Sequence, residues 1–319
     1  MIIVTGGAGF IGSNIIKGLN ESGINEILLV DDLTESRKKL QNFSSLKIAD
    51  FIDYRDFLIE IETHENAFPN CTAIFHQGAC STTNEWDGHY LMKNNYDYSK
   101  SVLSFCQRRS LQMIYASSAS VYGLGLEGFS EDGEADSPIN MYAYSKSIFD
   151  KYAMKHAQEM SSQVVGLRYF NVYGPNEQHK TGMTSPVYNF SKQIEESGVI
   201  NIFKGSGEIA DGEHRRDFIS VDDVVRLNLW FLSHPEYSGV FNCGTGKSET
   251  FNAVAANVIR YFGRGDVRYI DFPEMLKGSY QDFTEADLKK LRAIGYDCEF
   301  INLETGVERY LSQLFPDNG

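Results

Sequence analysis

The first half of the chain alternates short apolar runs with stretches of helical periodicity. The apolar runs are rich in β-branched and aliphatic residues, as buried strands are, and they lie at 2–5, 27–31, 46–49, 73–77, 113–117 and 164–168. The run at 46–49 is the weakest of these. The helical stretches lie near 11–22, 54–62, 90–109 and 142–160. Strands that alternate with helices in this way predict a parallel sheet covered by helices on both faces.

The pattern changes in the second half, from about Val172 onward. Loop-forming residues dominate 174–182 and 205–216, and helical patterns occur at 184–197, 222–233, 284–294 and 303–314. Thr284 is the predicted N-cap of the third of these helices. A short apolar run at 239–243 is predicted to return to the sheet. We therefore expect a smaller second lobe beside the sheet.

A glycine-rich turn follows the first predicted strand. Gly6, Gly9 and Gly12 permit a tight turn, close approach of a pyrophosphate and close packing of the next helix, whose N-terminus would bind the phosphates. The second strand ends in Asp31, 19 residues after Gly12, near the roughly 20-residue offset of the acid that binds the adenosine ribose. These features predict dinucleotide binding on a Rossmann-type α/β fold, a doubly wound parallel sheet with a smaller mixed α/β substrate-binding lobe. The predicted domains are 1–171 with 217–243 for the dinucleotide and 172–216 with 244–319 for the substrate.

The residues that follow Asp31 leave the identity of the dinucleotide open. An acid at this position favours a bare ribose and hence NAD, whereas a nearby cation can hold the 2′-phosphate of NADP. Arg37, Lys38 and Lys39 supply such cations, but a solvated basic turn explains them equally well.

The composition restricts the partners and the compartment. A chain of 319 residues with 42% hydrophobic residues can bury a large core, and a formal charge of −14 argues against nucleic acid or an anionic membrane as a partner. The first predicted strand begins at residue 2 and no apolar run approaches a membrane span, so we expect a cytoplasmic protein. The five cysteines and seven histidines lack disulfide-framework or metal-ligand spacing, so we expect no disulfide and no metal.

Tyr142 and Lys146 stand four residues apart on a predicted helix, so a phenol and an ammonium share one face. A free tyrosine titrates near 10, and a cation within about 4–6 Å lowers that pKa and favours the phenolate. The pair therefore predicts a phenolate base, although an ordinary amphipathic surface helix gives the same spacing.

Small residues follow two of the predicted strands, at 78–81 and 116–123. They would let a flat nicotinamide ring and a substrate lie close to the backbone at the carboxyl ends of the strands, where open α/β sheets bind ligands. Ser118 would donate a hydrogen bond to a substrate oxygen beside Tyr142. A plain turn accounts for small residues alone, but together with Tyr142 and Lys146 they predict a hydride-transfer site.

Four motifs carry a resemblance to extended short-chain dehydrogenases/reductases that act on nucleotide sugars. They are Gly6-Gly7-Ala8-Gly9-Phe10-Ile11-Gly12, Ser117-Ser118-Ala119-Ser120-Val121-Tyr122-Gly123, Tyr142-Ala143-Tyr144-Ser145-Lys146 and Arg168-Tyr169-Phe170-Asn171-Val172-Tyr173-Gly174-Pro175. Further segments resemble the ADP-glyceromanno-heptose 6-epimerase family, at 75–81, 85–88, 94–96, 179–180, 216–218, 228–232 and 276–281. The resemblance runs through the whole chain.

The resemblance implies an isomerase of lipopolysaccharide inner-core heptose biosynthesis. Its bound NADP would oxidise carbon 6 of ADP-D-glycero-D-manno-heptose to a ketone and return the same hydride to the other face, giving ADP-L-glycero-D-manno-heptose. An acid/base is then needed on each side of the carbonyl. The resemblance implies Tyr142 for one side and Lys180 for the other, with Ser118 and Lys146 completing the catalytic group, and it implies a homopentamer.

The remaining site residues are also implied by the resemblance. The cofactor set is Gly6, Gly9, Phe10, Ile11, Gly12, Asp31, Asp32, Lys38, Gln77, Gly78, Ala79, Cys80, Ser81, Asn94, Lys146, Val172 and Lys180. The substrate set is Ser118, Asn171, Gly182, Asn189, Phe203, Lys204, Gly205, Ser206, Arg216 and Tyr280. Arg216 offers a fork for a diphosphate and Tyr280 an aromatic face, although an ion pair between Arg216 and Asp217 and core packing of Tyr280 are simpler explanations.

Three departures from the family pattern bear on these assignments. Tyr54, followed by Arg55, stands where the family often has a second cofactor-binding lysine, which weakens the assignment of NADP and keeps NAD open. Asn189 stands where a histidine is common. The polar segment at 207–212 lengthens a loop, so Arg215 is an alternative to Arg216 for the diphosphate.

Three other functions remain open. A 4,6-dehydratase resembles this chain but has an Asp-Glu pair after the hydroxyl residue, where Ala119 and Ser120 stand here. A UDP-hexose 4-epimerase is closer in chemistry and is disfavoured only by the lobe motifs, including Lys180. A non-enzymatic dinucleotide-sensing regulator would have no use for Ser118, Tyr142 and Lys146 together.

Overall fold

The computed structural model describes residues 1–34, 37–82, 85–180, 182–272 and 280–316. Its strands are β1 (Ile2–Thr5), β2 (Ile27–Asp31), β3 (Asp50–Asp53), β4 (Ala73–His76), β5 (Gln112–Ser118), β6 (Val164–Tyr169), β7 (Asn171–Tyr173), β8 (Val199–Phe203), β9 (Arg215–Ser220), β10 (Gly239–Cys243), β11 (Ser248–Thr250) and β12 (Asp266–Ile270). Its helices are α1 (Phe10–Glu21), α2 (Arg37–Phe43), α3 (Tyr54–Thr63), α4 (Gly88–Leu91), α5 (Tyr98–Arg109), α6 (Met141–Ala157), α7 (Pro186–Ser197), α8 (Val221–Ser233), α9 (Phe251–Phe262), α10 (Lys289–Ala293) and α11 (Leu303–Leu314). A π-helical turn (Met92–Asp97) joins α4 to α5.

Seven strands form the main sheet, in the order β10-β6-β5-β4-β1-β2-β3. The neighbours from β6 to β3 run parallel, and Ile2 of β1 lies opposite Ile27 of β2 and Ala73 of β4. The order of β1 to β6 is that of the Rossmann fold, in which the direction of winding reverses beside β1 and ligands bind at the carboxyl ends of the strands. The predicted fold is confirmed, and so is the return of 239–243 to the sheet.

The predicted position of the third strand is wrong. The strand was expected at 46–49 but forms at Asp50–Asp53, and pairing begins where Ala49 N donates to the Ile27 carbonyl at 2.9 Å. Because β3 is the edge strand and stays exposed or half-buried along its length, hydrophobicity marks it poorly.

The first compact unit comprises 1–121, 138–169 and 224–241. Its core is built from both the sheet and the helices, with Ile3 and Tyr115 from the strands and Phe57, Phe105 and Phe149 from α3, α5 and α6. All five side chains are almost fully buried. This packing fixes α6, which carries Tyr142 and Lys146, against the sheet.

The second compact unit comprises 122–137, 170–223 and 242–319. It contains a three-stranded sheet in the order β11-β9-β7 and a two-stranded sheet of β12 and β8. Its core is formed by apolar residues of α7, α9 and α11, among them Ile194, Val254 and Leu311. Helix α9 was not predicted from the sequence, although its apolar residues do follow a helical spacing.

The predicted helix N-cap at Thr284 is wrong. Helix α10 begins only at Lys289, and Thr284 instead lies beside β9, where its N–H donates to the Arg215 carbonyl and its hydroxyl accepts from the Asp217 N–H at 3.2 Å. Pairing with a strand that is distant in sequence overrides the local capping signal.

Within the described ranges, the structure has no helix that is both long enough and apolar enough to cross a membrane.

Candidate active site

The glycine turn between β1 and α1 is closely packed. A Cβ on Gly12 would lie 2.1 Å from the Gly6 carbonyl oxygen, and one on Gly6 would lie 2.7 Å from the Gly78 backbone nitrogen. Gly6 also has a φ of +66°, which L-residues with side chains rarely adopt. Gly9 occupies the N-cap of α1, where it offers no side chain to cover the N–H groups of the first turn. The turn therefore fits a phosphate group at the helix N-terminus.

Asp31 is held rigidly at the end of β2. Its carboxylate accepts hydrogen bonds from the Ala8 N–H at 2.8 Å and the Asp32 N–H at 2.7 Å, and it forms an ion pair with Lys39. Lys39 also donates to the Asp32 carbonyl at 2.8 Å. The neighbouring Lys38, which was predicted to bind the cofactor, is exposed on α2, so the structure brings Lys39 rather than Lys38 to this site.

A second cation lies beside Asp32. The Arg55 guanidinium pairs with the Asp32 carboxylate at 2.7 Å and with Asp53 at 2.9 Å, and it stacks over the Tyr54 ring at 4.6 Å. Hydrogen bonding from Thr34 lowers the pKa of Asp32, and Arg55 adds to this lowering. The substitution of the family's lysine by Tyr54 therefore leaves a cation in place one residue later.

A cavity of about 180 Å³ opens at these strand ends. Seven of its lining residues were predicted as cofactor contacts, namely Gly6, Asp31, Asp32, Gly78, Ala79, Cys80 and Asn94. Four were absent from the predicted cofactor set, namely Lys39, Tyr54, Tyr90 and Tyr98. Tyr54 stands at the position of the family's second lysine, whereas Tyr90 and Tyr98 carry no motif signal, because only the fold brings α4 and α5 to this edge. The predicted Ser81 is exposed beside the cavity.

Asn95, which was not among the predicted site residues, connects the loop after β4 to α6 through hydrogen bonds. Its side-chain oxygen accepts from the Cys80 N–H at 2.8 Å, and its amide nitrogen donates to the Cys80 carbonyl at 3.0 Å and to the Ser145 hydroxyl at 3.1 Å. Asn95 lies in the π-helical turn, whose wider winding places it at the sheet edge. The Asn94-Asn95-Tyr96 motif was the available signal.

Ser118 lies at the end of β5 and Tyr142 at the start of α6, and the Ser118 hydroxyl accepts from the Ser120 hydroxyl at 2.9 Å. Burial raises the pKa of Tyr142, the Ser118 hydroxyl opposes that rise, and Cys80 adds to it. The Lys146 ammonium lies 6.0 Å from the centre of the Tyr142 ring. The predicted lowering of the Tyr142 pKa by Lys146 is not found in this structure, because burial is the largest influence on Tyr142 and raises its pKa.

Lys146 is buried beneath Tyr142. Its ammonium donates to the Ala116 carbonyl at 2.8 Å, and burial lowers its pKa to about 8 while Asp150, one turn further along α6, opposes that lowering. Asp150 itself accepts from the Ser117 hydroxyl at 2.8 Å and pairs with Arg168 at 3.0 Å. Lys146, Asp150 and Arg168 thus form a group of buried charges between α6 and the sheet.

Lys180 lies in the second unit, in the loop between β7 and α7, and is partly buried. Burial lowers the pKa of Lys180, and the carboxylate of Glu177 opposes that lowering. A lowered pKa suits a lysine that accepts a proton. Asn171 and Val172 lie on β7 and are half-buried, and Gly182 is exposed with a φ of +73°.

The second unit also contains a cavity of about 420 Å³, a size typical of small-molecule sites. Aromatic rings and amides share its lining, which is formed by Pro186, Asn189, Phe190, Lys192, Gln193, Glu196, Asn201, Ile202, Phe203, Gly212, His214, Phe251 and Tyr280. Three of these, Asn189, Phe203 and Tyr280, were predicted to bind substrate. His214 was missed, since it lies in the segment that the family pattern does not cover.

Arg216 stacks on two of these rings, with its guanidinium 4.7 Å from the Tyr280 ring centre and 5.8 Å from that of Phe251. It is 5% exposed, and burial lowers its pKa. Arg215, by contrast, points to Ser248, to whose hydroxyl it donates at 3.0 Å. The structure therefore brings Arg216 rather than Arg215 to the aromatic residues of the substrate set.

The loop after β8 carries the other predicted substrate residues. A Cβ on Gly205 would lie 1.8 Å from the Ile209 carbonyl oxygen, so only glycine fits there. The Ser206 hydroxyl shares a hydrogen bond of 2.9 Å with the His214 ring. Lys204 is exposed and pairs with Asp271 at 2.8 Å.

The glycine turn, the acid after β2 and the Ser118–Tyr142–Lys146 group define a dinucleotide-dependent enzyme of the short-chain dehydrogenase/reductase class. The chain belongs to the NAD dependent epimerase/dehydratase family, whose profile matches residues 2–244. It is 55% identical over 311 residues to the ADP-L-glycero-D-manno-heptose-6-epimerase of Alkalilimnicola ehrlichii, covering 98% of this chain and 96% of that one. It is 49% identical over 321 residues to the enzyme of the same name from Brachyspira hyodysenteriae, covering 100% and 99%.

A solved structure agrees with these relatives. The crystal structure of the Helicobacter pylori ADP-L-glycero-D-manno-heptose-6-epimerase superimposes with a TM-score of 0.85 at 28% identity, covering 98% of this chain and 95% of that one. The family resemblance predicted from the sequence is confirmed.

Proposed function

We propose that this chain epimerises carbon 6 of an ADP-linked heptose, converting ADP-D-glycero-D-manno-heptose to ADP-L-glycero-D-manno-heptose. The observation that carries the proposal is the Ser118–Tyr142–Lys146 group on a dinucleotide-binding sheet, in a chain whose relatives at 49% and 55% identity bear that name over nearly their full length. The product would serve lipopolysaccharide inner-core assembly in the cytoplasm.

The proposed reaction is an isomerisation, so substrate and product contain the same atoms. A nicotinamide dinucleotide held by the first unit would supply hydride transfer from and back to carbon 6, while an acid/base on the protein takes the hydroxyl proton. Rotation about the bond between the ring and carbon 6 presents the other face of the ketone, and a second acid/base supplies the proton of the new hydroxyl. We assign these two roles to Tyr142 and Lys180. Ser118 orients the oxygen by a hydrogen bond, and Lys146 holds positive charge beside the phenol.

The residues of the first unit fit a dinucleotide. The glycine turn leaves room that a Cβ at Gly6 or Gly12 would fill, so the pyrophosphate would be held there at the α1 N-terminus. Asp31 would bind the adenosine ribose. We propose NADP rather than NAD, because Lys39 and Arg55 place two cations beside Asp31 and Asp32, where a 2′-phosphate would bind.

The residues of the second unit fit the ADP-sugar. Phe203 and Tyr280 offer aromatic faces to a nucleotide base. The planar guanidinium of Arg216 can donate two parallel hydrogen bonds to the diphosphate. Gly205 permits the close approach of the backbone. We further propose that the protein forms a homo-oligomer, specifically a homopentamer. Light scattering would measure the mass of this assembly.

An isotope experiment tests the reaction. The purified protein is incubated with ADP-D-glycero-D-manno-heptose in deuterated water, with no dinucleotide added, and carbon 6 is followed by NMR. We expect inversion without deuterium at carbon 6, because the hydride never exchanges with solvent. Deuterium at that carbon would contradict direct hydride return, and conversion of a UDP-hexose instead of this sugar would favour a 4-epimerase.

Matched variants test the assigned bases. Tyr142→Phe and Lys180→Met should each abolish inversion and leave the bound dinucleotide in place. The controls Tyr144→Phe and Lys151→Met change exposed residues of α6 and should stay active. A fully active Lys180→Met protein would leave Tyr142 as the sole base. Extraction of the dinucleotide from the same sample decides between NADP and NAD.

A further inference from the structure

The loop that carries Lys180 is organised around a buried carboxylate. Glu177 is 1% exposed, and its oxygens accept hydrogen bonds from the Ser185 hydroxyl at 2.7 Å, the Gly174 N–H at 3.3 Å and the Ser185 N–H. Both carboxylate oxygens act as acceptors, which is the pattern of the ionised form. One charged side chain therefore joins the two ends of the loop.

Glu177 also contacts Lys180 through the main chain. The Lys180 N–H donates to the Glu177 carbonyl at 2.9 Å, and the Lys180 carbonyl accepts from Met183 at 3.1 Å, so the residue sits in a tight turn. At the far end of the loop, the Ser185 hydroxyl caps α7 by accepting from the Tyr188 N–H at 3.2 Å. The backbone of Lys180 is thus fixed by the same residue that anchors the loop to the helix.

The Glu177 charge acts on the Lys180 side chain as well. A negative charge favours the ammonium form and opposes the effect of burial on the pKa of Lys180. Among the residues that the structure describes, the other groups that interact with Glu177 are the Tyr310 phenol on α11, whose pKa is raised by burial and by Glu177, and the Ser185 hydroxyl, both uncharged. Within that part of the chain, Lys180 is the cation to which Glu177 is electrostatically coupled.

We propose that Glu177 is the positioning residue for Lys180, fixing the turn that carries it. The role of Lys180 in proton transfer rests on the proposed function. Glu177 stays in the protein interior and touches no reacting atom. It belongs to neither the cofactor set nor the substrate set derived from the sequence.

Glu177→Gln is the central variant, because it keeps the shape and removes the charge. Its amide also turns one acceptor into a donor facing the N–H groups of Gly174 or Ser185. We expect kcat to fall about 10- to 100-fold, the range found when a supporting residue of a site is removed, with KM changed less than about threefold. Glu195→Gln, on the exposed face of α7, is the matched control and should leave both constants unchanged.

A second readout separates positioning from a general structural role. The pH dependence of amine acylation at Lys180, followed by mass spectrometry of the peptide, reports the proton affinity of that side chain without any turnover. We expect the half-reaction pH of Lys180 in Glu177→Gln to fall by roughly one unit, because an attractive charge is lost. The Lys180-dependent limb of the kcat profile should move in the same direction.

The outcomes distinguish the two proposals. If wild-type protein does not invert the ADP-heptose but the acylation pH still falls in Glu177→Gln, the proposed function fails and the coupling stands. If inversion occurs and neither the acylation pH nor kcat changes in the variant, Glu177 does not position Lys180. Should Glu177→Gln fail to fold, Ser185→Ala removes one anchor of the carboxylate and should give a smaller loss of kcat, and full activity of this variant together with an unchanged Lys180 acylation pH would overturn the proposal.

Discussion

Replacing Lys146 with methionine tests the electrostatics of the buried site most directly. Burial lowers the pKa of Lys146 from 10.5 to about 8, and at roughly 1.4 kcal/mol per pH unit the ammonium costs the folded protein about 3 kcal/mol. The variant removes this cost, but it also removes the hydrogen bond from Lys146 to Ala116 and leaves a buried carbonyl without that donor. We expect Lys146→Met to be inactive and, at pH 7, about 1–2 kcal/mol more stable than wild type.

The pH dependence of the stability difference between wild type and Lys146→Met isolates the contribution of the Lys146 charge. Because the folded-state pKa of Lys146 is depressed, the unfolded chain binds more protons than the folded chain between about pH 8 and 10.5. The stability of wild type therefore rises with pH across that window as the buried charge disappears, and the variant has no such rise. Between pH 7 and pH 10 the stability of wild type relative to the variant should increase by about 2–3 kcal/mol.

The assay is urea unfolding of both proteins at the two pH values, with the free energy of unfolding taken from linear extrapolation. Groups that titrate in both proteins cancel in the comparison. Lys17→Met is the matched control, because Lys17 is about half exposed on α1 and its removal takes no charge out of the interior. A wild-type-minus-variant difference that stays constant from pH 7 to pH 10 would refute the reasoning, since Lys146 would then not be a desolvated cation.

Two further predictions concern ligand binding. Gly12→Ala places a Cβ 2.1 Å from the Gly6 carbonyl oxygen, so the turn must open and the purified variant should carry less bound dinucleotide than wild type by absorbance. Arg216→Met removes the buried guanidinium and should weaken ADP binding about ten- to 100-fold in calorimetry, the loss typical of a charged hydrogen bond, whereas Arg215→Met, which loses only contacts to Ser248, should weaken it less than about threefold. Equal losses in the two arginine variants would contradict the assignment of the diphosphate to Arg216.

The elements that could be predicted from the sequence are those whose structure depends on residues close to one another along the chain. The glycine turn needs Gly12 because a Cβ there would meet the Gly6 carbonyl six residues earlier, and β1 and β2 are buried along their whole length. Tyr142 and Lys146 share a helix, so their common face follows from spacing alone. These elements could be predicted without knowing what packs around them.

The parts that were missed depend on contacts between distant segments. Lys39 reaches Asp31 while Lys38 turns outward, a difference of one residue on α2 that helical periodicity could have resolved only with the strand in place. Arg55 reaches Asp32 from the next strand-to-helix junction. Thr284 was assigned to a helix although it pairs with β9, some 70 residues earlier. In each case a tertiary contact decides between local options of similar energy.

The directions of two pKa shifts favour one distribution of the acid and base roles in the proposed reaction. Environments that push two pKa values apart mark the general acid and the general base. Burial raises the pKa of Tyr142 and lowers that of Lys180, so near neutral pH Tyr142 holds its proton more firmly and Lys180 less firmly than either does in water. If the proposed function holds, we expect Lys180 to be the base for oxidation of the D-glycero epimer and Tyr142 to be the acid that protonates the new hydroxyl.

This assignment predicts different behaviour for the two inactive variants. When the D-glycero substrate is added to Tyr142→Phe, oxidation should still proceed and the near-ultraviolet absorbance of reduced nicotinamide should appear, because Lys180 can take the proton. Lys180→Met should show no such absorbance, because the first proton has no acceptor. The reverse pattern, absorbance with Lys180→Met and none with Tyr142→Phe, would mean that Tyr142 ionises in the working enzyme despite its burial, and would exchange the two roles.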